Sequence, residues 1–515
     1  MKRSSKVSIS LTVAGAFFSV AVSSAQNAGN WTTYRNDAGR TGVQKNETAI
    51  TNESLAKDFK FLWKLKLGQD AGDFRSYSEP LLIFRLINAQ GFKDFVIWSD
   101  RQNIYAVDSE LGKLLWKKHA DAAPAACAPS NIAMTMEPPL VINFGARRAP
   151  GTRPPTPIAP VAVNDRRVGI APGGGGFGLK GLYWLAADGM LHEQVVTTGV
   201  DFAPPVKFLP GEVGTGKGLG INGKVLYTST ASGCAGAKNA LYMVDMTTAS
   251  YPVSVYDSKS VPLLTTMSPT LSDGTAIVVT GKGTSDEAAG VHANSVLAVS
   301  SDAKVKSWFD AGGPLRNVTP VVFTYKEKKL VAAPGKDGGL VLLDAEAPGG
   351  ADHRTTLAEA ALGSSADTTS PDALTVWQDA TSGVAWVFAS VHGSVSPSAK
   401  FAAKNGAATR GSVAAFKVED EGGKLSLSPQ WISEDMVNPA PPVIANGFVI
   451  ALAQGSSQVP AKLLVLDSSN GKELYSSGKE IPTYAQMAGI SVGDGHVFLV
   501  THDNTLYSFG IGIEH

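Results

Sequence analysis

The loop at 281–295 gathers residues whose side chains could do chemistry. It carries Asp286, Glu287 and Asn294 within nine positions of one another. Carboxylate and amide oxygens are the ligands that calcium prefers, and a carboxylate can also remove a proton as a general base. Polar residues of a surface loop are more commonly only solvated. A calcium or base site and a plain solvated loop both remain open for this stretch.

The chain contains two cysteines, Cys127 and Cys234. In an oxidising compartment an even pair predicts a disulfide, and two unlinked thiols are the alternative. There is no Cys-x-x-Cys-His motif, so we expect no covalently attached haem c. Neither cysteine has a second one at zinc-ligand spacing.

Charge and motif content exclude several functional classes. Lysine and arginine number 45, and aspartate and glutamate also number 45. Because phosphate binding needs a basic stripe, this balance argues against a nucleic-acid partner. Neither a Gly-x-Ser-x-Gly elbow nor a His-Glu-x-x-His motif is present. The sequence therefore gives little support to a hydrolase or zinc-protease function.

The first 25 residues resemble a secretory signal peptide. Lys2, Arg3 and Lys6 precede an apolar stretch at 11–22, and small residues follow at 23–25. This pattern predicts cleavage near Gln26 and a periplasmic or secreted protein. The apolar stretch is shorter than the roughly 20 residues that cross a bilayer, so we expect no membrane span.

One short sequence motif recurs about eight times along the rest of the chain. An apolar run ends in aspartate and is often followed by Gly-Lys, as at 104–108 with 112–113 and at 463–467 with 471–472. Such a repeat indicates an array of identical supersecondary units. Turn residues separate short strands, and helical periodicity is almost absent, with a single turn expected at 358–362. We mark the eight first strands by their opening residues: Pro80, Pro139, Pro205, Pro269, Pro320, Pro371, Pro442 and Gly489.

These units predict an all-β, eight-bladed β-propeller of four-stranded antiparallel blades, with the propeller spanning 59–515 after an N-terminal segment at 26–58. The last unit has room for three strands only. The alternating apolar strand at 61–67 supplies the fourth, so an N-terminal strand closes the last blade and removes both sheet edges. We expect a monomer.

Three tryptophans end the outer part of their units: Trp116, Trp308 and Trp431. A large ring between neighbouring blades would fill the space that widens toward the rim. We therefore predict a packing role for them rather than a ligand role.

The repeats resemble those of the pyrroloquinoline-quinone (PQQ) alcohol dehydrogenase-like propellers. The stretch at 31–42, Trp-Thr-Thr-Tyr-Arg-Asn-Asp-Ala-Gly-Arg-Thr-Gly, is similar to the segment before the first blade of that family, and the ending at 506–510 is also typical. The resemblance runs from about Trp31 to the C terminus. The resemblance implies the propeller fold. The same fold serves both quinoprotein dehydrogenases and non-catalytic scaffolds.

The resemblance implies a role for Lys336 and Asp337. The phrase at 336–344 is similar to a Lys-Asn-Gly phrase of the family, in which the lysine reaches the quinone oxygens and stabilises charge on the reduced cofactor. Lys-Asp-Gly is also a favourable tight turn. The family binds calcium beside the quinone, which implies Asp286, Glu287 and Asn294 as ligands and Asp286 or Glu287 as base.

The sequence also departs from the family. Two adjacent cysteines cover the quinone there, whereas this chain has only Cys127, and a bridge to Cys234 would staple two loops. The family stacks the quinone on a tryptophan, and Leu241 stands at the corresponding place. The long loop at 392–410 is expected either to cover a central pocket or to be a surface insertion.

Two functional hypotheses follow. The first is an exported PQQ-dependent dehydrogenase that oxidises a small alcohol or sugar, with calcium and a separate electron acceptor. The second is a non-catalytic propeller that binds a protein or glycan through its loop face.

Overall fold

The computed structural model describes residues 29–67, 77–88, 91–100, 102–119, 131–134, 181–186, 188–201, 204–210, 218–230, 238–247, 250–265, 267–363 and 372–512. Its strands form eight blades of an all-β propeller, which confirms the predicted fold class. The predicted signal peptide and the cysteines Cys127 and Cys234 lie outside the described residues. No helix of the described residues is long and apolar enough to cross a membrane.

The N-terminal region provides two strands and one short helix: β1 (Val43–Gln44), α1 (Asn52–Lys57) and β2 (Phe59–Lys66). The helix begins at a capping box, in which the Thr51 hydroxyl accepts a bond from the Ser54 N–H and the Ser54 hydroxyl accepts one from the Thr51 N–H. This reciprocal pair satisfies backbone donors that a helix start otherwise leaves free.

The first four blades follow in chain order. Blade one contains β3 (Leu81–Asn88), β4 (Gly91–Ser99), β5 (Asn103–Asp108) and β6 (Leu114–His119). Blade two contains β7 (Asn131–Met134), β8 (Gly181–Leu185), β9 (Met190–Val195) and β10 (Val206–Lys207). Blade three contains β11 (Gly220–Asn222), β12 (Val225–Thr230), β13 (Asn239–Asp245) and β14 (Val253–Lys259). Blade four contains β15 (Ala276–Val279), β16 (Ser295–Val299) and β17 (Val305–Asp310).

The second four blades complete the ring. Blade five contains β19 (Val321–Tyr325), β20 (Lys328–Pro334), β21 (Leu340–Asp344) and β22 (Ala358–Ala360). Blade six contains β24 (Thr375–Gln378), β25 (Ala385–His392), β26 (Ala403–Lys404), β27 (Gly411–Glu421) and β28 (Lys424–Ile432). Two short strands that precede these blades, β18 (Val318–Thr319) and β23 (Asp372–Ala373), pair parallel with each other. Blade seven contains β29 (Val443–Ala445), β30 (Phe448–Ala453), β31 (Lys462–Asp467) and β32 (Glu473–Ser476). Blade eight contains β33 (Ala485–Gly493), β34 (His496–Thr501) and β35 (Thr505–Ile511), and 3₁₀ turns lie at Lys336–Gly338 and Gly350–Asp352.

The N-terminal strand β2 closes the ring as predicted. It pairs antiparallel with β35, so that the sheet order of blade eight is β2-β35-β34-β33. Alternate residues of β2 face the core, where Phe61 lies 5.6 Å from Phe509 between ring centroids. Blade eight is thus built from both ends of the chain, and the pairing of these ends closes the ring of blades.

Four details differ from the sequence-based expectation. Pro139 follows β7, the inner strand of blade two at Asn131–Met134, so it does not open that blade. Pro205 precedes β10, the outer strand of blade two, whereas the first strand of blade three begins at Gly220. The innermost strand of blade four is reduced to a bridge between Thr270 and Ala276. The single helical turn expected at 358–362 is wrong, since β22 pairs with β21 at this place.

Tryptophans of outer strands dock on the next blade in a repeated way. Each indole N–H donates to a carbonyl in the turn after the third strand of that blade, and a glycine three residues later lies against the ring. The pairs are Trp63 to Ser109 (3.1 Å), Trp116 to Val196 (2.9 Å) and Trp431 to Ser468 (2.8 Å), with Gly112, Gly199 and Gly471 beneath. The predicted packing role is confirmed for Trp116 and Trp431. It is also confirmed for Trp308, whose ring stacks on His353 of the neighbouring blade five at 3.5 Å between centroids.

Replacing Gly471 by alanine is expected to lower the free energy of unfolding by about 2–4 kcal/mol. Gly471 has φ +74°, and a Cβ there would overlap the Trp431 ring. Gly478→Ala is the matched control, because Gly478 also has positive φ but nothing lies within 4 Å of its Cβ position. We expect the control to cost only about 1 kcal/mol in urea unfolding. Equal losses for the two variants would show that the ring contact contributes nothing.

Candidate functional site

An N-terminal stretch at 29–50, here called the axial segment, runs around the propeller axis. Backbone N–H groups of the innermost strands donate to its successive carbonyls. These bonds run from Thr270 to Ala38 (2.8 Å), Val322 to Gly39 (2.9 Å), Val376 to Thr41 (3.1 Å) and Ile444 to Gly42 (2.9 Å), which belong to blades four, five, six and seven in order. At blade one, Trp31 and Leu82 exchange two backbone bonds. The axial segment therefore fills one end of the axis.

Buried charged groups of the axial segment lie inside the ring. Arg35 is 1% exposed, and its Nη2 donates to the Pro442 carbonyl (2.7 Å) and to the Thr375 hydroxyl, on blades seven and six. Its backbone N–H donates to Glu79 Oε1 at 2.8 Å, and the Trp31 indole donates to the same oxygen at 2.6 Å. Arg35 thus ties the segment to several blades at once.

Burial shifts the pKa of several groups at the axis. Desolvation raises the pKa of Glu79 to about 7, against the opposing effect of Arg35 and the Trp31 bond. Desolvation likewise raises the pKa of Tyr34 to about 12 and lowers the pKa of Arg40 to about 10. Glu79 Oε2 has no hydrogen-bond partner among the described residues. Asp372, at the start of blade six, lies close to His392, at the end of β25, with 3.5 Å between Oδ2 and Nε2.

Lys336 and Asp337 occupy a tight turn between β20 and β21. The Gly339 N–H donates to the Lys336 carbonyl (3.0 Å), and Asp337 has φ +56°. Both side chains are exposed. The turn is held to its surroundings by the Gly363 N–H, which donates to the Gly338 carbonyl at 3.1 Å. The prediction that Lys-Asp-Gly forms a tight turn is thus correct. The turn leaves the exposed Lys336 side chain free to contact a ligand.

Lys336 lines a cavity of about 730 Å³ between blades four, five and six, here called the Lys336 cavity. The long loop at 392–410 provides part of its wall through Ser396 and Ser398, whose hydroxyls lie 2.8 Å apart. The loop is anchored there because the Ser396 N–H donates to the Leu362 carbonyl at 2.8 Å. It then adds β26 as a parallel strand outside β28. The loop therefore walls a pocket beside blade five.

The charge of the Lys336 cavity is mixed. Arg354 lies 3.5 Å from Asp310 between Nη2 and Oδ2, and the Thr356 hydroxyl donates to Glu359 Oε1 at 2.9 Å. Lys336 forms no ion pair with a described residue. The charged groups of the described lining are two cations and three carboxylates: Lys336, Arg354, Asp310, Asp337 and Glu359.

The predicted calcium ligands lie in the loop between β15 and β16, and they are not part of the described cavity lining. Asp286 and Glu287 are exposed, and Asp286 Oδ1 accepts the Ala289 N–H at 3.1 Å as part of a turn. Asn294 is half-buried, and its Oδ1 has no described partner. No group of three or more His, Cys, Asp or Glu side chains suited to a metal ion occurs in the part of the chain that the structure describes.

The structure thus brings Lys336 and Asp337 together at one cavity and leaves Asp286, Glu287 and Asn294 on the neighbouring blade. The polar axis, including Arg35, Glu79 and Asp372, was not predicted from the sequence. The signal for Arg35 was present, since it lies in the stretch at 31–42 that carries the family resemblance.

The described lining of the Lys336 cavity does not fit PQQ. That planar cofactor carries three carboxylates and needs a positively charged slot with a flat wall. The carboxylates of the lining outnumber its cations, and its aromatic residue, Phe309, is only 5% exposed. At the axis, the Arg35 guanidinium is already bonded to protein acceptors.

No family model and no curated protein matches the sequence. Solved structures with the same fold include two quinohemoprotein alcohol dehydrogenases. The enzyme from Comamonas testosteroni is 11% identical with a TM-score of 0.51, and ADHIIG from Pseudomonas putida HK5 is 10% identical with a TM-score of 0.52. Each likeness covers 95% of this chain and 81% of the other chain. At this identity the likeness shows the fold, and it confirms the predicted resemblance to PQQ-like propellers.

Proposed function

We propose that the chain is a non-catalytic binding propeller that takes a hydroxyl-rich ligand, such as an oligosaccharide, in the Lys336 cavity. The observation that carries the proposal is the lining, which offers cations, carboxylates, serine hydroxyls and glycine backbone within one pocket of about 730 Å³. A sugar hydroxyl both donates and accepts hydrogen bonds, so a lining of mixed polarity suits it.

Neutral hexasaccharides of glucose and of N-acetylglucosamine are suitable probes for this site. We expect saturable binding of at least one of them in calorimetry, with affinity reduced about tenfold in Lys336→Ala, because a charge-assisted bond contributes about 1.5 kcal/mol. Lys462→Ala is the matched control, since Lys462 is an exposed lysine at the start of the third strand of blade seven. Equal effects of the two substitutions, or no binding of either probe at millimolar concentration, would refute the proposal.

A PQQ-dependent dehydrogenase is the second candidate, and the position of Lys336 in a cavity wall is the observation that favours it. In this candidate Asp286, Glu287 and Asn294 would hold calcium, Asp286 or Glu287 would act as base, and a separate carrier would accept the electrons from a small alcohol or sugar. The charge balance of the described cavity argues against it.

Export to the periplasm or the medium is part of the proposal. It is supported by the basic start, the apolar stretch at 11–22 and the small residues before Gln26. Mass spectrometry of the protein recovered from the producing cells should show a mature chain that begins near Gln26. An intact Met1 terminus on the functional protein would contradict export by this route.

A further inference from the structure

The long loop at 392–410 presents its cavity-facing residues on a segment that is fixed on both sides of them. Val395 forms an isolated backbone bridge with Gly363 of blade five. Further along, the Phe401 side chain is only 7% exposed, and its ring packs on Phe416 with 5.3 Å between centroids. The wall that this loop adds to the Lys336 cavity is therefore formed before a ligand binds, which lowers the entropy cost of binding.

Ser396 and Ser398 of this loop line the cavity, and their hydroxyl oxygens lie 2.8 Å apart. These two side chains are here called the serine pair. One of the hydroxyls donates to the other. Among the described residues the pair has one further contact, a long one of 3.4 Å from the Ser398 N–H to Ser396 Oγ. The pair therefore keeps one O–H donor and several oxygen lone pairs unused.

The two hydroxyls are not needed to hold the local turn. The Ala399 N–H donates to the Ser396 carbonyl at 3.0 Å, and the Ser396 N–H donates to the Leu362 carbonyl at 2.8 Å. The Ala399 side chain is also buried, at 6% exposed. Because backbone bonds and apolar burial already hold the turn, a side-chain bond as long as 3.4 Å adds little to it. The serine pair is thus available to a ligand.

We propose that the serine pair recognises a vicinal diol, so that the ligand of the Lys336 cavity is a sugar with free hydroxyls on two adjacent ring carbons. This recognition depends on the function proposed above and names its ligand more narrowly. The two oxygens of a gauche diol have about the same separation as those of the serine pair. The spare serine O–H can therefore donate to one sugar oxygen while the other sugar hydroxyl donates back. A sugar without an adjacent pair leaves one of these bonds unmade.

The two hexasaccharide probes differ in this respect. A 1,4-linked glucose hexasaccharide, as its methyl glycoside, has adjacent free hydroxyls at C2 and C3 of every ring. The N-acetylglucosamine compound has an acetamide at C2 and keeps an adjacent pair only on its terminal ring. We expect calorimetry to show about tenfold tighter binding of the glucose compound, since two neutral hydrogen bonds together correspond to about that factor. A glucose compound methylated at every O3 has no adjacent pair and should bind equally weakly.

The double variant Ser396→Ala/Ser398→Ala tests whether the serine pair causes this preference. We expect it to bind the unmethylated glucose compound about tenfold more weakly than the wild type does, and no more tightly than the methylated one. Ser301→Ala is the matched control, because Ser301 is an exposed serine of a turn in blade four and is not part of the described cavity lining. The control should keep both affinity and preference, and thermal unfolding verifies that both variants fold.

The outcomes separate diol recognition from the proposed function. Lys336-dependent binding without a preference for the unmethylated glucose compound, or a preference that survives in the double variant, would overturn diol recognition and leave the proposed function standing. Tighter binding of the N-acetylglucosamine compound would do the same. Absence of binding for all three compounds at millimolar concentration would refute the proposed function and, with it, diol recognition.

Discussion

Replacing Arg35 by methionine is expected to lower the free energy of unfolding by about 3–5 kcal/mol. The guanidinium is almost fully buried and bonds to acceptors on two blades, including the carbonyls of Leu374 and Pro442. Methionine fills much of the volume but leaves these acceptors and the neighbouring Glu79 without their donor or counter-charge. The loss therefore reflects both missing hydrogen bonds and a buried carboxylate that keeps only Arg40 as a facing counter-charge.

Urea unfolding followed by tryptophan fluorescence measures this loss. Arg354→Met is the control, because the Arg354 side chain is 74% exposed and its ion pair with Asp310 is at the surface. We expect that control to change the free energy of unfolding by less than about 1 kcal/mol. A loss below about 1 kcal/mol for Arg35→Met would show that the axial segment does not hold the blades together.

The stability of the protein is expected to fall as pH rises from about 4.5 to about 7, because of Glu79. Its folded-state pKa is raised to about 7 from its ordinary value of 4.5, so within this window the folded chain binds more protons than the unfolded chain. The contribution is fully present below pH 4.5 and is lost as pH rises through the folded-state pKa. A shift of this size corresponds to on the order of 3 kcal/mol.

The Glu79→Gln variant isolates this effect. Glutamine keeps an oxygen that can accept from the Trp31 indole and the Arg35 N–H, but it cannot ionise. The charged groups that face Glu79 are Arg35 and Arg40. We expect the variant to lose the decline between pH 4.5 and 7, as measured by urea unfolding at several pH values, and to be at least as stable as the wild type at pH 8. An identical pH profile for both proteins would contradict the assignment.

The architecture was predictable from the sequence because it is repeated. Each copy of the apolar run ending in aspartate gives a third strand, and the shortage of one strand in the last unit predicts that β2 completes it. The tryptophan packing follows from the same repetition. The helix α1 was missed, although Thr51 and Ser54 mark its start, because its six residues carry too little periodicity.

The polar axis was less predictable because its contacts join residues far apart in the chain. Arg35 donates hydrogen bonds to acceptors about 340 and 400 positions away in the chain, and no local sequence pattern predicts such distant partners. Lys336 was predicted as a ligand-binding residue from a short sequence motif. The structure adds the cavity, which the motif alone could not indicate. Asp286 and Glu287 were chosen for their residue types, and whether they bind calcium remains a prediction.

A titration of the mature protein with PQQ and calcium tests the proposed function most directly. Tryptophan fluorescence reports binding, and dye-linked oxidation of small alcohols and sugars reports turnover. If the protein is a non-catalytic binding propeller, we expect no saturable quenching at micromolar PQQ and no turnover, in the same preparation that binds a hexasaccharide in a Lys336-dependent manner. Saturable quenching with turnover, both lost in Lys336→Ala and unchanged in Lys462→Ala, would contradict it and establish a quinoprotein dehydrogenase.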